Sequence, residues 1–132
     1  MTILADASAL VAIVTKEADA PRLLGALQGH NDRLCCAVGK WEAVLAIARK
    51  RTVTLDEARR ALDDMLNRLS IRSVAVGDAE YRLALDAHGV YGKRSGHPAR
   101  LNMGDCFAYA CAKANDARLL YTGNDFSKTD LA

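Results

Sequence analysis

Four acidic residues could bring carboxylate oxygens together, namely Asp6, Glu42, Asp105 and Asp125. Asp6 directly follows an apolar run at the start of the chain, and Asp125 follows another near its end. A bare cluster of carboxylates repels itself and partly protonates, so it needs a counter-charge. Mg²⁺ or Mn²⁺ suits such a site because both ions prefer oxygen donors. The acids therefore predict a cation site that could orient water and offset charge developing on a phosphodiester.

Each acid also has a purely structural explanation. Asp6 could cap a helix that begins directly after it. Asp105 stands three residues after Asn102, which is the spacing of a capping pair, and negative charge is favourable at a helix N-terminus. Glu42 could be a solvated helix residue, and Asp125 could belong to a turn. The residues taken singly leave both interpretations open at every position.

Hydrophobic periodicity predicts the elements that must position these acids. The predicted strands cover residues 1–5, 34–38, 71–76 and 118–121. The predicted helices lie near residues 20–27, 41–48, 55–69, 81–88 and 102–114. Trp41 falls on the apolar stripe of the second helix, and Gly89 is expected to end the fourth.

Strands and helices alternate along the chain. This order predicts an α/β fold with three layers, α/β/α, around a central parallel sheet. In such sheets ligands bind beyond the carboxyl ends of the strands, where the chain order reverses. Asp6 and Asp125 both follow predicted strands, so the four acids are expected to converge at that edge.

Composition indicates one ordinary globular domain covering residues 1–132. The chain has 18 Lys or Arg and 16 Asp or Glu, and its net charge of +2 does not indicate a polyanion partner. The first residues resemble neither a signal peptide nor a membrane span, so a cytoplasmic protein is expected. The four cysteines lack metal-site spacing and are predicted to be reduced, buried thiols: Cys35, Cys36, Cys106 and Cys111.

Four segments carry a resemblance to a known family. They read ILADASALVAI, KWEAVLAIARK, LNMGDCFAYACAKA and LLYTGNDFSKTD, in that order along the chain. Their order and spacing resemble the acidic motifs of PIN-domain ribonucleases, specifically VapC-type toxins of bacterial toxin–antitoxin pairs. The resemblance implies an Mg²⁺-dependent endoribonuclease, with Mn²⁺ as a possible substitute. It also implies that Asp6, Glu42 and Asp105 are metal-site acids, with Asp6 and Asp105 as direct ligands and Ser8 as support.

The fourth acidic position departs from the family pattern. The family often places an acid two residues after the Thr that ends the last strand, but here Asn124 occupies that position after Thr122. Asp125 follows it, and a carboxylate binds a hard cation better than an amide does. Asp125 is therefore favoured as the fourth ligand, with Asn124 as the alternative that would orient water.

Basic residues near these motifs are candidates for RNA contact. Lys93, Arg94 and Arg100 lie in a segment, residues 89–100, that is predicted to be an exposed loop. Arg49 lies near the end of the helix that carries Glu42. Solvated loops are usually polar, and basic residues at helix ends also satisfy the helix dipole.

The resemblance also implies partners, namely a VapB-type antitoxin, an RNA substrate and a second copy in a homodimer, with no membrane association. The apolar stripe over residues 55–69 could serve the core, the dimer or the antitoxin. Two alternatives remain. A receiver-like phosphoacceptor domain would need paired acids after the first strand, whereas Asp6 is flanked by Ala5 and Ala7. A catalytically silent PIN-fold interaction module is the other.

Overall fold

A computed structural model describes all residues, 1–132, and shows a central sheet of four parallel strands. The strands are β1 (Thr2–Ala5), β2 (Asp32–Cys36), β3 (Ile71–Val74) and β4 (Arg118–Leu120). Their order across the sheet is β3-β2-β1-β4. Leu4 of β1 is in register with Leu34 of β2 and with Leu119 of β4. The chain therefore reverses its direction of travel across the sheet between β1 and β4, which is where ligands bind in folds of this kind.

Six helices connect and cover these strands. They are α1 (Ala7–Val14), α2 (Ala20–Gln28), α3 (Ala37–Arg51), α4 (Leu55–Arg68), α5 (Asp78–Tyr91) and α6 (Met103–Ala114). Parallel neighbours require crossover connections, and each connection here contains two helices. None of the helices combines the length and apolarity that a membrane crossing would require.

The two faces of the sheet carry separate cores. Because successive strand residues point to opposite faces, Ile3 belongs to one core and Leu4 to the other. The Ile3 core is formed with α1 to α4, and the Leu4 core with α5 and α6. The predicted three-layer α/β/α fold with a parallel sheet is thus confirmed.

The apolar stripe over residues 55–69 belongs to the first core. Ala58, Leu62, Met65 and Leu66 of α4 are all buried against α1 and α3. Leu55, at the start of this helix, is 57% exposed. Of the three roles that the sequence left open for this stripe (core, dimer or antitoxin contact), the structure shows the core.

Two predicted boundaries are wrong. The helix expected to end at Gly89 continues to Tyr91, because Gly89 faces open space and nothing at that position stops the helix. The chain turns at Gly92 instead, where a Cβ would overlap the His88 carbonyl group, so only glycine fits. The second strand spans Asp32–Cys36 rather than 34–38, because Cys36 caps α3 by accepting a hydrogen bond from the Gly39 N–H at 3.5 Å. All four cysteines are free and buried, as predicted.

The C-terminal segment is held against α5 and α6 by one carboxylate. Asp130 accepts hydrogen bonds from the hydroxyls of Tyr109, at 2.6 Å, and Tyr91, at 3.3 Å. Lys113 adds an ion pair, with 2.5 Å between its Nζ and Asp130 Oδ2. These contacts lower the pKa of Asp130, so the carboxylate stays charged and the segment remains attached to the helix that carries Asp105.

Candidate active site

The predicted site begins where β1 and β4 end side by side. The backbone N–H of Asp6 donates to the Leu120 carbonyl oxygen at 3.0 Å and so extends the pairing of the two strands by one residue. Asp6 then starts α1 as its N-cap. Its position at the reversal point follows directly from the strand order.

Asp6 is a buried carboxylate, with 6% of its surface exposed. One oxygen, Oδ1, accepts hydrogen bonds from Ser8 Oγ at 2.5 Å and from the Ala9 N–H at 3.2 Å. Burial raises the pKa of Asp6 from 3.8 to about 7, although these two hydrogen bonds lower it, and the negative charge of Asp105 raises it further. A carboxylate in this position is poorly hydrated and would be stabilised by a cation.

Ser8 connects Asp6 to the end of the last strand. Its Oγ accepts a hydrogen bond from the Thr122 N–H at 3.0 Å while donating to Asp6. Ser8, which the resemblance names as a supporting residue, thus contacts Asp6 directly. Thr122 was named in the sequence only as the end of a strand, and its backbone contact with Ser8 could not be read from the residues.

Asp105 has the capping role that the sequence offered as one of two interpretations. It forms a capping box with Asn102 at the start of α6: its N–H donates to Asn102 Oδ1 at 2.8 Å, and its Oδ2 accepts from the Asn102 N–H at 3.0 Å. Burial raises the pKa of Asp105, and the charge of Asp125 adds to the increase. The Asn102 hydrogen bond and the positive charge of Lys93 act in the opposite direction. The cap fixes the carboxylate in place beside the other acids.

Glu42 reaches the same site from α3. Its carboxylate lies against the backbone of Gly104, so closely that a Cβ at position 104 would overlap it. Burial raises the pKa of Glu42, and the charge of Asp105 adds to this. No hydrogen bond to the Glu42 carboxylate is present within the chain, so its oxygens are free for a ligand. Gly104 is a site residue that the sequence analysis missed, although a glycine one position before Asp105 is its visible signal.

The two candidates for the fourth position behave differently. Asp125 is exposed in the turn after β4, and its charge raises the pKa of Asp105. The Asn124 backbone carbonyl accepts hydrogen bonds from the N–H and Oγ of Ser127, at 3.2 and 2.7 Å, and its exposed side chain contacts none of the acids. Of the two, only Asp125 is electrostatically linked to the acidic cluster.

The four acids form a chain of neighbours rather than a closed shell. Asp6 and Glu42 each interact with Asp105, and Asp105 interacts with Asp125. No group of three or more His, Cys, Asp or Glu side chains converges closely enough to hold a metal ion. The donors are nevertheless all carboxylate oxygens, and three of them have raised pKa values, so their chemistry fits a hard divalent cation.

Two grooves adjoin this acidic cluster. The first, here called the α1/α3 groove, has a volume of about 450 Å³ and is lined by residues that include Ser8, Glu42, Thr122, Trp41, Arg49 and Lys50. The second, the α5/α6 groove, has a volume of about 510 Å³ and is lined by residues that include Tyr81, Leu85, Lys93, Arg94, Met103 and Phe107. The predicted RNA-contacting residues are thereby divided, with Arg49 in the first groove and Lys93 and Arg94 in the second.

Arg100 and Trp41 are both exposed, which was expected only for Arg100. Arg100 has a left-handed backbone, φ 52°, and its side chain forms no hydrogen bond or ion pair. Trp41 was expected on an apolar stripe facing the core, but it is 62% exposed. The buried stripe of α3 consists of Gly39, Ala43 and Ile47 instead, and Trp41 lies off this stripe and points outward.

Comparison with known proteins agrees with the resemblance seen in the sequence. Residues 3–131 match the PIN domain family. A VapC ribonuclease of Rhizobium meliloti is 40% identical, over 96% of this chain and 96% of its own length. Ribonuclease VapC42 of Mycobacterium tuberculosis is 39% identical, over 96% of this chain and 94% of its own length.

A solved structure shares the fold. The crystal structure of Mycobacterium tuberculosis VapC20, described as a toxin that cleaves the sarcin–ricin loop, superposes with a TM-score of 0.69 at 15% sequence identity. The match covers 95% of this chain and 92% of that one. Together, the parallel sheet, the acids at its reversal point and these relatives show that the chain belongs to the PIN-domain family and, within it, to the VapC ribonucleases.

Proposed function

We propose that the protein is an Mg²⁺-dependent endoribonuclease that hydrolyses RNA phosphodiester bonds with water, with Mn²⁺ as a possible substitute. The observation that carries this proposal is the buried carboxylate of Asp6 facing Asp105 at the sheet's reversal point, in a chain of the VapC ribonuclease family. Two neighbouring acids with raised pKa values are stable as anions only beside positive charge. An RNA phosphate is also anionic, so a bound cation would balance the negative charge of the acids and of the substrate.

The residues that would hold the cation are Asp6 and Asp105, with Glu42 and Asp125 alongside. When bound, such an ion lowers the pKa of water and offsets negative charge on the phosphate. The chain prepares Asp6 for this because the hydrogen bonds from Ser8 and Ala9 favour the charged carboxylate. The Asn102 cap likewise fixes Asp105, so both anions are positioned before substrate arrives.

The partners follow from the same proposal. Relatives with 38–40% identity carry the name VapC ribonuclease, which supports an RNA substrate and a VapB-type antitoxin for this chain. A homodimer in the cytoplasm is part of the same expectation. Sedimentation of the purified protein, alone and with the antitoxin from the neighbouring reading frame, measures both assemblies.

The test is cleavage of total host RNA by the purified protein, with Mg²⁺ and with chelator, followed by mapping of new 5′ ends. Asp6→Asn and Asp105→Asn should each reduce cleavage roughly 100- to 1,000-fold, since removal of one charge-stabilising group at a reacting centre has effects of this size. Asp86→Asn removes an exposed carboxylate of α5 outside the acidic cluster and is the matched control. Cleavage that persists in both site variants, or in chelator, would reject the proposal.

A second candidate is a catalytically silent PIN-fold interaction module. The observation that favours it is that no three acids converge into a ready metal shell. Isothermal titration with Mg²⁺ or Mn²⁺ separates the two: the ribonuclease binds the ion and loses that binding in Asp6→Asn, whereas the silent module does not bind it. The receiver-like alternative is excluded by the family assignment.

A further inference from the structure

Trp41 is the only tryptophan in the chain, and its side chain is largely exposed. Tryptophan side chains are strongly buried on average, because burying the large apolar indole ring stabilises the folded state. Trp41 does not contribute to either core, and it lies directly before Glu42 on α3. An exposed indole next to an active-site acid therefore has no structural role inside this chain.

The α1/α3 groove connects Trp41 with the acidic cluster. Trp41 and Glu42 line it together, as do Ser8 and Thr122. Ser8 donates a hydrogen bond to Asp6 and accepts one from the Thr122 N–H. A substrate that reaches the acids from this side would pass over the indole ring.

Arg49 is a positively charged residue of the same groove without a partner in the chain. Lys50, its neighbour, is neutralised by Glu17, with 2.5 Å between Nζ and Oε1. Arg49 makes no ion pair and no hydrogen bond with its side chain. It lies eight residues after Trp41, which is about 12 Å along the same face of the helix. The groove thus contains an aromatic ring and an unpaired guanidinium together with one of the acids, Glu42.

We propose that Trp41 and Arg49 form a substrate subsite for single-stranded RNA, in which an unpaired base stacks on the indole and a phosphate contacts the guanidinium. This inference rests on the proposed ribonuclease function and adds two residues that contact the substrate and the side from which the substrate enters the site. Aromatic side chains stack on bases that are splayed out of a helix, whereas the bases of a duplex are already stacked on each other. A phosphate is the complementary partner for an unpaired guanidinium.

Intrinsic fluorescence tests the stacking directly, because Trp41 is the only indole that can report it. The wild-type protein is titrated in chelator with a six-nucleotide oligoribonucleotide, with the same strand in a duplex, and with a strand of the same length that lacks bases. Binding of each probe is followed independently by the anisotropy of a terminal dye. We expect quenching with the single strand and none with the other two probes. Binding of the single strand with unchanged fluorescence would overturn the subsite.

Kinetics provide the second measurement. Trp41→Ala should raise the KM for a single-stranded substrate roughly 5- to 100-fold, the range expected for one base–aromatic stack, with kcat nearly unchanged. Trp41→Phe, which keeps a ring, should restore most of the loss. Leu55→Ala truncates another exposed apolar residue, outside both grooves, and is the matched control.

The outcomes separate this inference from the proposed function. If the protein neither binds nor cleaves RNA, the ribonuclease proposal itself fails. If it cleaves RNA while Trp41→Ala leaves KM unchanged, only the subsite fails. A fluorescence change that follows protein concentration rather than RNA would place Trp41 at a contact between two copies of the chain and would also overturn the subsite.

Discussion

The α1/α3 groove and the α5/α6 groove adjoin the same acids but differ in what they offer a ligand. The first combines carboxylates, the free guanidinium of Arg49 and a single aromatic ring. The second is lined mainly by apolar and aromatic side chains, among them exposed Tyr81, Leu85 and Met103, and it also contains Lys93 and Arg94. Both grooves therefore offer aromatic rings and positive charge to a nucleic acid, but only the first has one of the acids, Glu42, among its lining residues. The difference makes the α1/α3 groove the better candidate for the substrate path.

The largest expected effect concerns Asp6, the buried acid of the cluster that both grooves adjoin. Its pKa in the folded protein is about 7, above 3.8 in the unfolded chain, so the folded state binds the additional proton between these values. Without added metal, the free energy of unfolding should therefore fall as the pH rises from about 4 to 7, by at most about 4 kcal/mol.

Asp6→Asn should remove this dependence and raise stability at pH 8 while abolishing cleavage. Urea unfolding at pH 5 and pH 8, for both proteins, measures the effect. A stability that rises equally in both proteins over this interval would show that Asp6 is not the buried acid that the structure describes. The matched control is Asp86→Asn, which should retain the wild-type pH dependence.

The second prediction concerns Glu42, whose carboxylate can be displaced without a change in its charge. Gly104→Ala places a methyl group where the Glu42 carboxylate lies, so the flexible end of Glu42 must shift away from the cluster. Cleavage should fall about 100-fold, the loss typical of a small misplacement at a reacting centre. Stability should not fall, since alanine is the better helix former by about 1 kcal/mol.

Single-turnover cleavage and thermal unfolding of Gly104→Ala measure the two effects. Gly89→Ala is a matched control, because that helical glycine faces open space. Loss of stability in Gly104→Ala with unchanged cleavage would contradict the position assigned to Glu42.

The third prediction compares the charges of the α1/α3 groove. Arg49→Ala should lower the slope of log binding constant against log salt concentration by about 0.7, the value for one phosphate contact with a single strand. Arg82, an exposed arginine of α5 without an ion pair, is the matched control, and its replacement by Ala should leave the slope unchanged. Anisotropy titrations between 50 and 200 mM salt, roughly the range over which such contacts are screened, provide the measurement. Equal slopes in wild type and Arg49→Ala would remove Arg49 from the substrate path.

The smallest expected effect is in the α5/α6 groove. Leu85→Ala truncates a side chain that is 55% exposed there and should change the KM for single-stranded RNA by less than about twofold. The comparison is with Trp41→Ala, measured with the same substrate. A larger KM effect at Leu85 than at Trp41 would reverse the assignment of the two grooves.

The arrangement of elements could be predicted from the sequence because buried strands and amphipathic helices leave periodic patterns. Asp6 could be placed at the edge of the sheet because it directly follows a predicted strand, and Asp105 could be placed in the first turn of a predicted helix because it stands three residues after Asn102. The end of α5 could not, because Gly89 and Gly92 look alike in sequence and only the packing against His88 distinguishes them. The outward direction of Trp41 could not be predicted either, because Trp41 shares the helical spacing of Val44 and Ala48, which do pack against the core.

The carboxylate of Asp130 has a practical consequence for anyone who prepares this protein. It satisfies the buried Tyr109 hydroxyl of α6, so trimming the last three residues or attaching a purification tag that displaces them would leave that hydroxyl without an acceptor. Asp105 lies one helical turn before Tyr109 on α6, so we expect loss of this contact to disturb its position as well. An inactive preparation of a C-terminally altered chain would then reflect a detached tail rather than missing chemistry.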